Sequence, residues 1–190
     1  MALYNLSLAV QKLYTSGQKL FNLQNLSRLL DINIPRSARS VVMRLTNDKI
    51  LTRIAKDTYI VTDPSPTRFE IANFLFSPSY ISLETALNYH GILSQFPLEI
   101  TSVTLKKSVT KQADGQVFSY AHLKQNLFWG YEKKDGQLIA FPEKALLDQI
   151  YLSSKGLRSV HLDEYDLSNV NKLQFYNFAK LFPKFPLPKI

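Results

Sequence analysis

The hydrophobic positions in the first third of the chain recur at the spacing of a helix. A first stripe consists of four aliphatic residues, Leu3, Leu6, Val10 and Leu13. Gly17 follows it as a natural helix end. A second stripe consists of three leucines, Leu26, Leu29 and Leu30, and Asn22 or Asn25 can cap its first turn. The pattern predicts two helices before residue 31.

A third stripe belongs to a helix that Pro35 opens, since proline suits the first turn of a helix. Its apolar residues recur at i, i+3, i+4 and i+7 and predict a buried face: Ala38, Val41, Val42 and Leu45. The opposite face is polar and basic, and no acidic residue interrupts it before Asp48. We expect this second face to meet solvent or a polyanion.

The pattern then changes to two β-rich runs, residues 50–54 and 58–61, separated by a short charged turn at 55–57. Helix, helix, short turn, helix and hairpin is the order of a winged helix-turn-helix. We therefore predict a winged helix-turn-helix domain over residues 1–62.

Two prolines in the polar run 63–67 oppose both helix and sheet, so we predict a linker there. Beyond it, residues 68–190 alternate between helical and period-two patterns and predict a second domain. The predicted helices are 68–76, 82–89, 142–151 and 171–182. The predicted strands are 80–81, 100–105, 117–120, 127–131 and 138–141. The predicted fold class is α+β, with a small antiparallel sheet in a mixed α+β C-terminal domain.

Composition narrows the chemistry that the chain can perform. None of its 190 residues is cysteine, which excludes disulfides, thiolate catalysis and cysteine-based zinc sites. No apolar stretch approaches the roughly 18 residues that a spanning helix needs, and no signal peptide is apparent at the N-terminus. We expect a soluble cytoplasmic protein without a membrane partner.

The distribution of charge points to the first domain as the site of polyanion binding. The formal net charge is +8, and residues 1–62 carry +6 of it, with nine basic and three acidic residues. An α-helix fits the major groove of DNA, where arginine binds phosphates or guanine edges. The predicted DNA-binding residues are Arg36, Ser37, Arg39, Ser40, Met43, Arg44, Asn47, Lys49, Arg53 and Lys56. The alternative is an ordinary solvated helix face.

Residues that could support catalysis are scattered. His90, His122 and His161 lack the spacing of metal ligands, so structural roles are predicted for them. Glu143 and Asp148 lie i, i+5 on one helix and roughly 140° apart, so they do not converge as an acid/base pair. The six glycines are isolated and form no phosphate-binding loop. We predict no catalytic residue, no metal site and no cofactor, and therefore no enzyme.

Aromatic residues in the second domain leave a different function open. They lie in its predicted strands: Phe118, Tyr120, Phe128, Trp129 and Tyr131. Exposed rings on a sheet can stack on unpaired bases, and Lys106, Lys107 and Lys111 form a nearby basic patch. The alternative hypothesis is an RNA- or protein-binding adaptor with an accessory winged-helix domain.

Three stretches of the second domain resemble one family. They are residues 80–91 (YISLETALNYHG), 128–131 (FWGY) and 140–148 (AFPEKALLD). Together with the hairpin residues 51–59, they look like the AbiEi family of antitoxins and transcriptional regulators. The resemblance covers most of the chain in the expected order.

The resemblance implies a repressor that binds its own promoter, at inverted repeats, through the winged helix-turn-helix. The DNA-contacting role then falls on Arg36, Arg39, Arg44, Arg53 and Lys56. It also implies an antitoxin in a type IV toxin–antitoxin system linked to phage defence, with a nucleotidyltransferase toxin as the functional partner. Whether antitoxin and toxin touch is left open.

Overall fold

The computed structural model describes residues 5–190 and contains seven α-helices and nine strands in that range. The predicted α+β class is confirmed. The chain divides into two compact units, residues 1–67 and 68–190. Within the described residues, no helix has both the length and the apolarity needed to cross a bilayer. Leu3 of the first predicted stripe lies outside the described residues.

The first unit combines three helices with a three-stranded antiparallel sheet. Its elements are α1 (Leu6–Thr15), β1 (Leu20–Asn22), α2 (Leu23–Leu29), α3 (Pro35–Asn47), β2 (Leu51–Ala55) and β3 (Thr58–Val61). The strands lie in the order β1-β3-β2. The sequence pattern missed β1, because three residues are too few to show a period and the strand is defined only by pairing with β3.

Side chains cap the first two helices. The Asn5 side chain accepts a hydrogen bond from the backbone N–H of Leu8, which satisfies one unpaired donor at the start of α1. Asn22 does the same for α2 by accepting from the N–H of Asn25 at 2.7 Å, so Asn22 rather than Asn25 is the cap. Helix α3 begins with Pro35 and has no side-chain cap.

The core of the first unit contains the third predicted stripe. Ala38, Val41, Val42 and Leu45 of α3 are all buried, as predicted. They pack in one hydrophobic cluster with residues of the other elements: Ala9, Leu13, Phe21, Leu26, Leu30, Ile32, Leu51 and Val61. This packing fixes the rotation of α3 about its axis and therefore which of its residues face solvent.

The hairpin turns through Lys56 and Asp57, with Ala55 opposite Thr58. Asp57 adopts a left-handed backbone with φ 51°, a conformation that aspartate tolerates in turns. A register shift between Arg53 and Ala55 adds a bulge to β2. The hairpin, which follows α3 in the chain, therefore has a bent tip of defined conformation.

The second unit has four α-helices and six strands. Its helices are α4 (Arg68–Leu75), α5 (Leu83–Tyr89), α6 (Pro142–Ser154) and α7 (Lys172–Ala179). Its strands are β4 (Ser79–Ile81), β5 (Ile100–Thr104), β6 (Val109–Ala113), β7 (Gln116–His122), β8 (Tyr131–Lys134) and β9 (Gln137–Ala140). Three short 3-10 turns complete it.

The predicted small antiparallel sheet of the second unit is wrong. The six strands form one mixed sheet in the order β6-β7-β5-β4-β9-β8. The pairs β4-β9 and β5-β7 are parallel, and the other three pairs are antiparallel. A period-two pattern identifies a strand but not its neighbour, and β4 pairs with a strand more than 50 residues later in the chain.

The structure differs from the predicted strands at two further places, residues 127–131 and β6. The predicted strand 127–131 is mostly a 3-10 turn and an irregular segment, and β8 begins only at Tyr131. Gly130 breaks the strand with a φ of 73°. The sequence also missed β6, an edge strand whose outward residues are polar and whose apolar signal is therefore weak.

A pair of substitutions in α3 separates its buried face from its exposed one. Leu45→Ala removes a fully buried side chain, so we expect a loss of about 2–5 kcal/mol in the free energy of unfolding. Met43→Ala, on the exposed face of the same helix, should change it by less than about 0.5 kcal/mol. Urea unfolding followed by circular dichroism measures both. Equal losses would contradict the orientation of α3.

Candidate nucleic-acid interface

One face of α3 carries most of the residues predicted to bind DNA. Six of them are exposed along the helix: Arg36, Arg39, Ser40, Met43, Arg44 and Asn47. Ser37 is half-buried and lies at the edge of this face. Because the opposite side of α3 is packed in the core, these side chains point into solvent. We call these seven residues the basic face.

The hairpin presents the remaining predicted residues. Arg53 on β2 and Lys56 at the tip are exposed, and so is Lys49 in the short connection between α3 and β2. The guanidinium Nε of Arg53 donates to the carbonyl oxygen of Ala55 at 3.2 Å. This bond ties the side chain to the bulged part of β2 and leaves its terminal nitrogens for other partners.

A cleft of about 420 Å³ lies between α3 and the hairpin. It brings together four of the ten predicted residues: Arg39, Met43, Asn47 and Arg53. Tyr59 of β3 forms part of the same wall. Two arginines, an amide and a phenol ring can bind an anionic strand through charge-assisted and neutral hydrogen bonds. The other six predicted residues lie outside this cleft.

Acidic side chains limit the positive potential of this surface. Asp57 lines the cleft. The sequence placed this residue in the hairpin turn and did not predict that it faces the cleft. Asp48 is exposed at the C-terminal end of α3, where it caps the helix. Asp31 lies elsewhere in the unit and forms an ion pair with Lys12, with 2.6 Å between Oδ2 of Asp31 and Nζ of Lys12. The basic face itself carries three arginines and no acid.

No protein-family model matches this chain, and comparison with curated proteins gives no significant match.

The residues considered for catalysis have separate partners. The Oε1 atom of Glu143 accepts from the backbone N–H of Asn171 at 2.8 Å, while Asp148 bonds a different set of groups inside the second unit. The ring nitrogens of His90 and His122 donate to the carbonyl oxygens of Ala140 and Lys106. Among residues 5–190, no group of three or more histidine or acidic side chains is arranged to hold a metal.

A buried cluster of charged and hydroxyl groups lies in the second unit and was missed in the sequence. The side chains of Lys144 and Asp148 form an ion pair one turn apart on α6, and both are fully buried. Asp148 Oδ2 accepts from Tyr80 Oη at 3.0 Å and from Ser82 Oγ at 2.8 Å. Lys144 Nζ also donates to Tyr80 Oη at 2.8 Å. The i, i+4 spacing of Lys144 and Asp148 is the signal that could have revealed the pair.

Aromatic rings enclose this ion pair. The ammonium of Lys144 lies 5.1 Å from the ring centre of Trp129 and 5.2 Å from that of Phe182, within cation–π distance. Gly130 packs against the Lys144 side chain so closely that a Cβ atom there would lie 2.8 Å from Lys144 Cγ. The three stretches that carry the family resemblance therefore meet at one buried cluster, around Lys144.

Burial shifts the protonation equilibria of the pair in opposite directions. It raises the pKa of Asp148 and lowers the pKa of Lys144, while the charge of each partner opposes the shift of the other. Burial, reinforced by Asp148, also raises the pKa of Tyr80 well above its ordinary value. No part of either side chain reaches the surface, and the contacts of the pair join β4, α6 and the 128–131 segment.

Two of the five aromatic residues of the RNA hypothesis are buried, and the other three are half-buried. Phe118 and Tyr120 are 1% and 2% exposed, so they cannot stack on bases. Phe128 and Tyr131 pack on Tyr80, with ring centres 5.0 and 4.5 Å away. In the nearby basic patch, Lys106 and Lys111 both lie over the ring of Phe76. These contacts account for the aromatic pattern by core packing.

Removing one charge of the buried pair should be more harmful than removing both. Lys144→Met leaves the Asp148 carboxylate without its counter-ion, and we expect a loss of about 3–5 kcal/mol in the free energy of unfolding. The double variant Lys144→Met/Asp148→Leu should recover a large part of that loss. Lys133→Met, at an exposed position on β8, is the control and should be nearly neutral. A double variant no more stable than the single one would contradict this account.

The stability of Lys144→Met should also depend on pH. Without the ammonium, burial raises the folded-state pKa of Asp148 further, so the folded variant binds more protons than its unfolded chain above about pH 4. Its stability should therefore fall as pH rises from 5 to 8, by up to about 1.4 kcal/mol per unit while Asp148 stays protonated in the folded state. Urea unfolding at several pH values measures this. The double variant Lys144→Met/Asp148→Leu has no carboxyl group at this position, so its stability should lack this dependence on pH. Identical pH profiles for the single and double variants would contradict this prediction.

Proposed function

We propose that the first unit is a winged helix-turn-helix that binds double-stranded DNA, and that the protein represses transcription from its own promoter. The order α1, β1, α2, α3 and a β2-β3 hairpin supports this assignment. In it, α3 is the recognition helix and the hairpin is the wing. The observation that carries the proposal is the basic face, which α3 displays opposite a buried apolar stripe.

The proposed binding mode places α3 in the major groove. Arg36 and Arg39 lie on its N-terminal half and can pair with phosphate oxygens or with the O6 and N7 atoms of guanine. Asn47 offers an amide that suits the N6 and N7 atoms of adenine. Arg53 and Lys56 on the wing reach the sugar–phosphate backbone or the adjacent minor groove. Phosphate contacts then supply affinity, and base contacts supply sequence preference.

The second part of the proposal is an antitoxin role against a nucleotidyltransferase toxin, in a type IV toxin–antitoxin system. It is supported by the resemblance of residues 80–91, 128–131 and 140–148 to the AbiEi family. Several residues in those stretches form the buried cluster around Lys144, so they bear on the fold of the second unit more than on its surface.

Removal of two arginines from the basic face tests DNA binding. We expect Arg36→Ala/Arg39→Ala to abolish retention of a duplex from directly upstream of the coding sequence in a gel-shift assay. The unaltered protein should bind with an affinity that falls steeply with salt, with a slope of about −0.9 per phosphate neutralised. For every phosphate that a variant no longer neutralises, the magnitude of this slope should decrease by about one.

The matched control for this experiment is Lys180→Ala/Lys184→Ala. It removes the same net charge from exposed positions in the second unit and should leave binding and its salt dependence nearly unchanged. Circular dichroism verifies that both double variants fold. If the arginine variant binds as tightly as the unaltered protein, the basic face is not the DNA-reading surface.

Co-expression tests the antitoxin role. A nucleotidyltransferase encoded beside this gene should arrest growth when expressed alone and permit growth when this chain is present. If the toxin arrests growth equally in both cases, the antitoxin role fails while DNA binding stands. Size-exclusion chromatography of the two purified proteins then decides whether neutralisation involves a stable complex.

A further inference from the structure

Met43 is the only apolar side chain in the predicted DNA-binding set. It is 60% exposed and lies at the centre of the basic face, with Arg39 and Ser40 one turn before it and Asn47 one turn after. A single exposed methionine is ordinary on a protein surface. Met43 differs from such a residue in its position, because the side chains around it can all donate hydrogen bonds to DNA.

Folding does not account for this methionine. The apolar stripe of α3 is complete without Met43, since its four residues already fill the core side of the helix. Met43 instead lines the cleft beside the hairpin, together with Arg39, Asn47 and Arg53. A nucleic-acid strand that contacts those side chains therefore also meets the methionine.

The major groove offers one apolar group at this level, the C5 methyl of thymine. The other prominent features of base edges are hydrogen-bond donors and acceptors, and methionine is at most a weak acceptor. Opposite a G·C pair, Met43 would remove water from polar base atoms without replacing their hydrogen bonds, which is unfavourable. Opposite thymine, it would bury two apolar groups against each other.

We propose that the thioether of Met43 packs on the C5 methyl of a thymine and makes this residue a determinant of sequence specificity. The inference rests on the proposed DNA-binding function and adds to it a chemical feature that the site reads. It requires α3 to lie in the major groove with its central turn facing the bases. Arginine contacts then set affinity and orientation, while Met43 selects a T·A pair.

Selection from a randomised pool of duplexes identifies the preferred site directly, because every candidate sequence competes in the same experiment. The full chain, Met43→Ala and Met43→Leu are each used to enrich the pool. We expect the unaltered protein and Met43→Leu, which keeps an apolar side chain of similar size, to enrich the same thymine. Met43→Ala should lose the preference at that position and keep it at the others.

Deoxyuridine then tests the contact itself, because it differs from thymidine only in lacking the methyl group. Each thymine of the enriched duplex is replaced in turn. At the thymine whose enrichment Met43→Ala loses, the replacement should weaken binding by the unaltered protein about three- to fivefold, the effect of one buried methyl group. The same replacement should have no effect on binding by Met43→Ala. Leu8→Ala, which truncates an exposed leucine on α1, is the control and should keep the full sensitivity to deoxyuridine.

The outcomes separate this inference from the proposed function. If the pool yields no enriched sequence, the DNA-reading function fails and this inference falls with it. If a sequence is enriched but no deoxyuridine replacement weakens binding, the methionine contact is refuted while DNA binding stands. The contact is also refuted if Met43→Ala is as sensitive to deoxyuridine as the unaltered protein.

Discussion

The packing of four apolar side chains of α3 into the core of the first unit fixes which side of this helix faces solvent. Ala38, Val41, Val42 and Leu45 bury one side of the helix, so the other side must face water. That other side holds three arginines and no acid, and charged side chains are seldom buried without partners. The proposed DNA-reading surface is thus the consequence of hydrophobic burial on the opposite side of the same helix.

The two units differ in where their charged side chains lie relative to solvent. In the first unit the arginines are exposed and lie close together, an arrangement whose repulsion a bound polyanion would relieve. In the second unit, Lys144 and Asp148 are withdrawn from solvent and compensated by each other, by two hydroxyl groups and by aromatic rings. An exposed charge is available for binding, whereas a buried pair constrains the elements that surround it.

The buried pair explains where three of the resembling stretches, residues 80–91, 128–131 and 140–148, meet in the second unit. Tyr80, the 128–131 segment and α6 come from distant parts of the sequence and converge on Lys144. A change in one of them would leave a charge unpaired or a ring out of place. Residues under that constraint specify the fold of the second unit. The proposed DNA contacts follow from the basic face of α3, which contains none of those residues.

The sequence alone determined the elements whose signal is local. The stripe of α3, its polar opposite face and the hairpin after it follow from spacing within about 30 residues, and the structure has all three. The sequence did not reveal β1, β6, the mixed sheet or the cleft that places Asp57 beside Arg53. These depend on which strand pairs with which, and on side chains meeting across the fold. Pairing is decided by the burial of whole faces in three dimensions, and no local period encodes it.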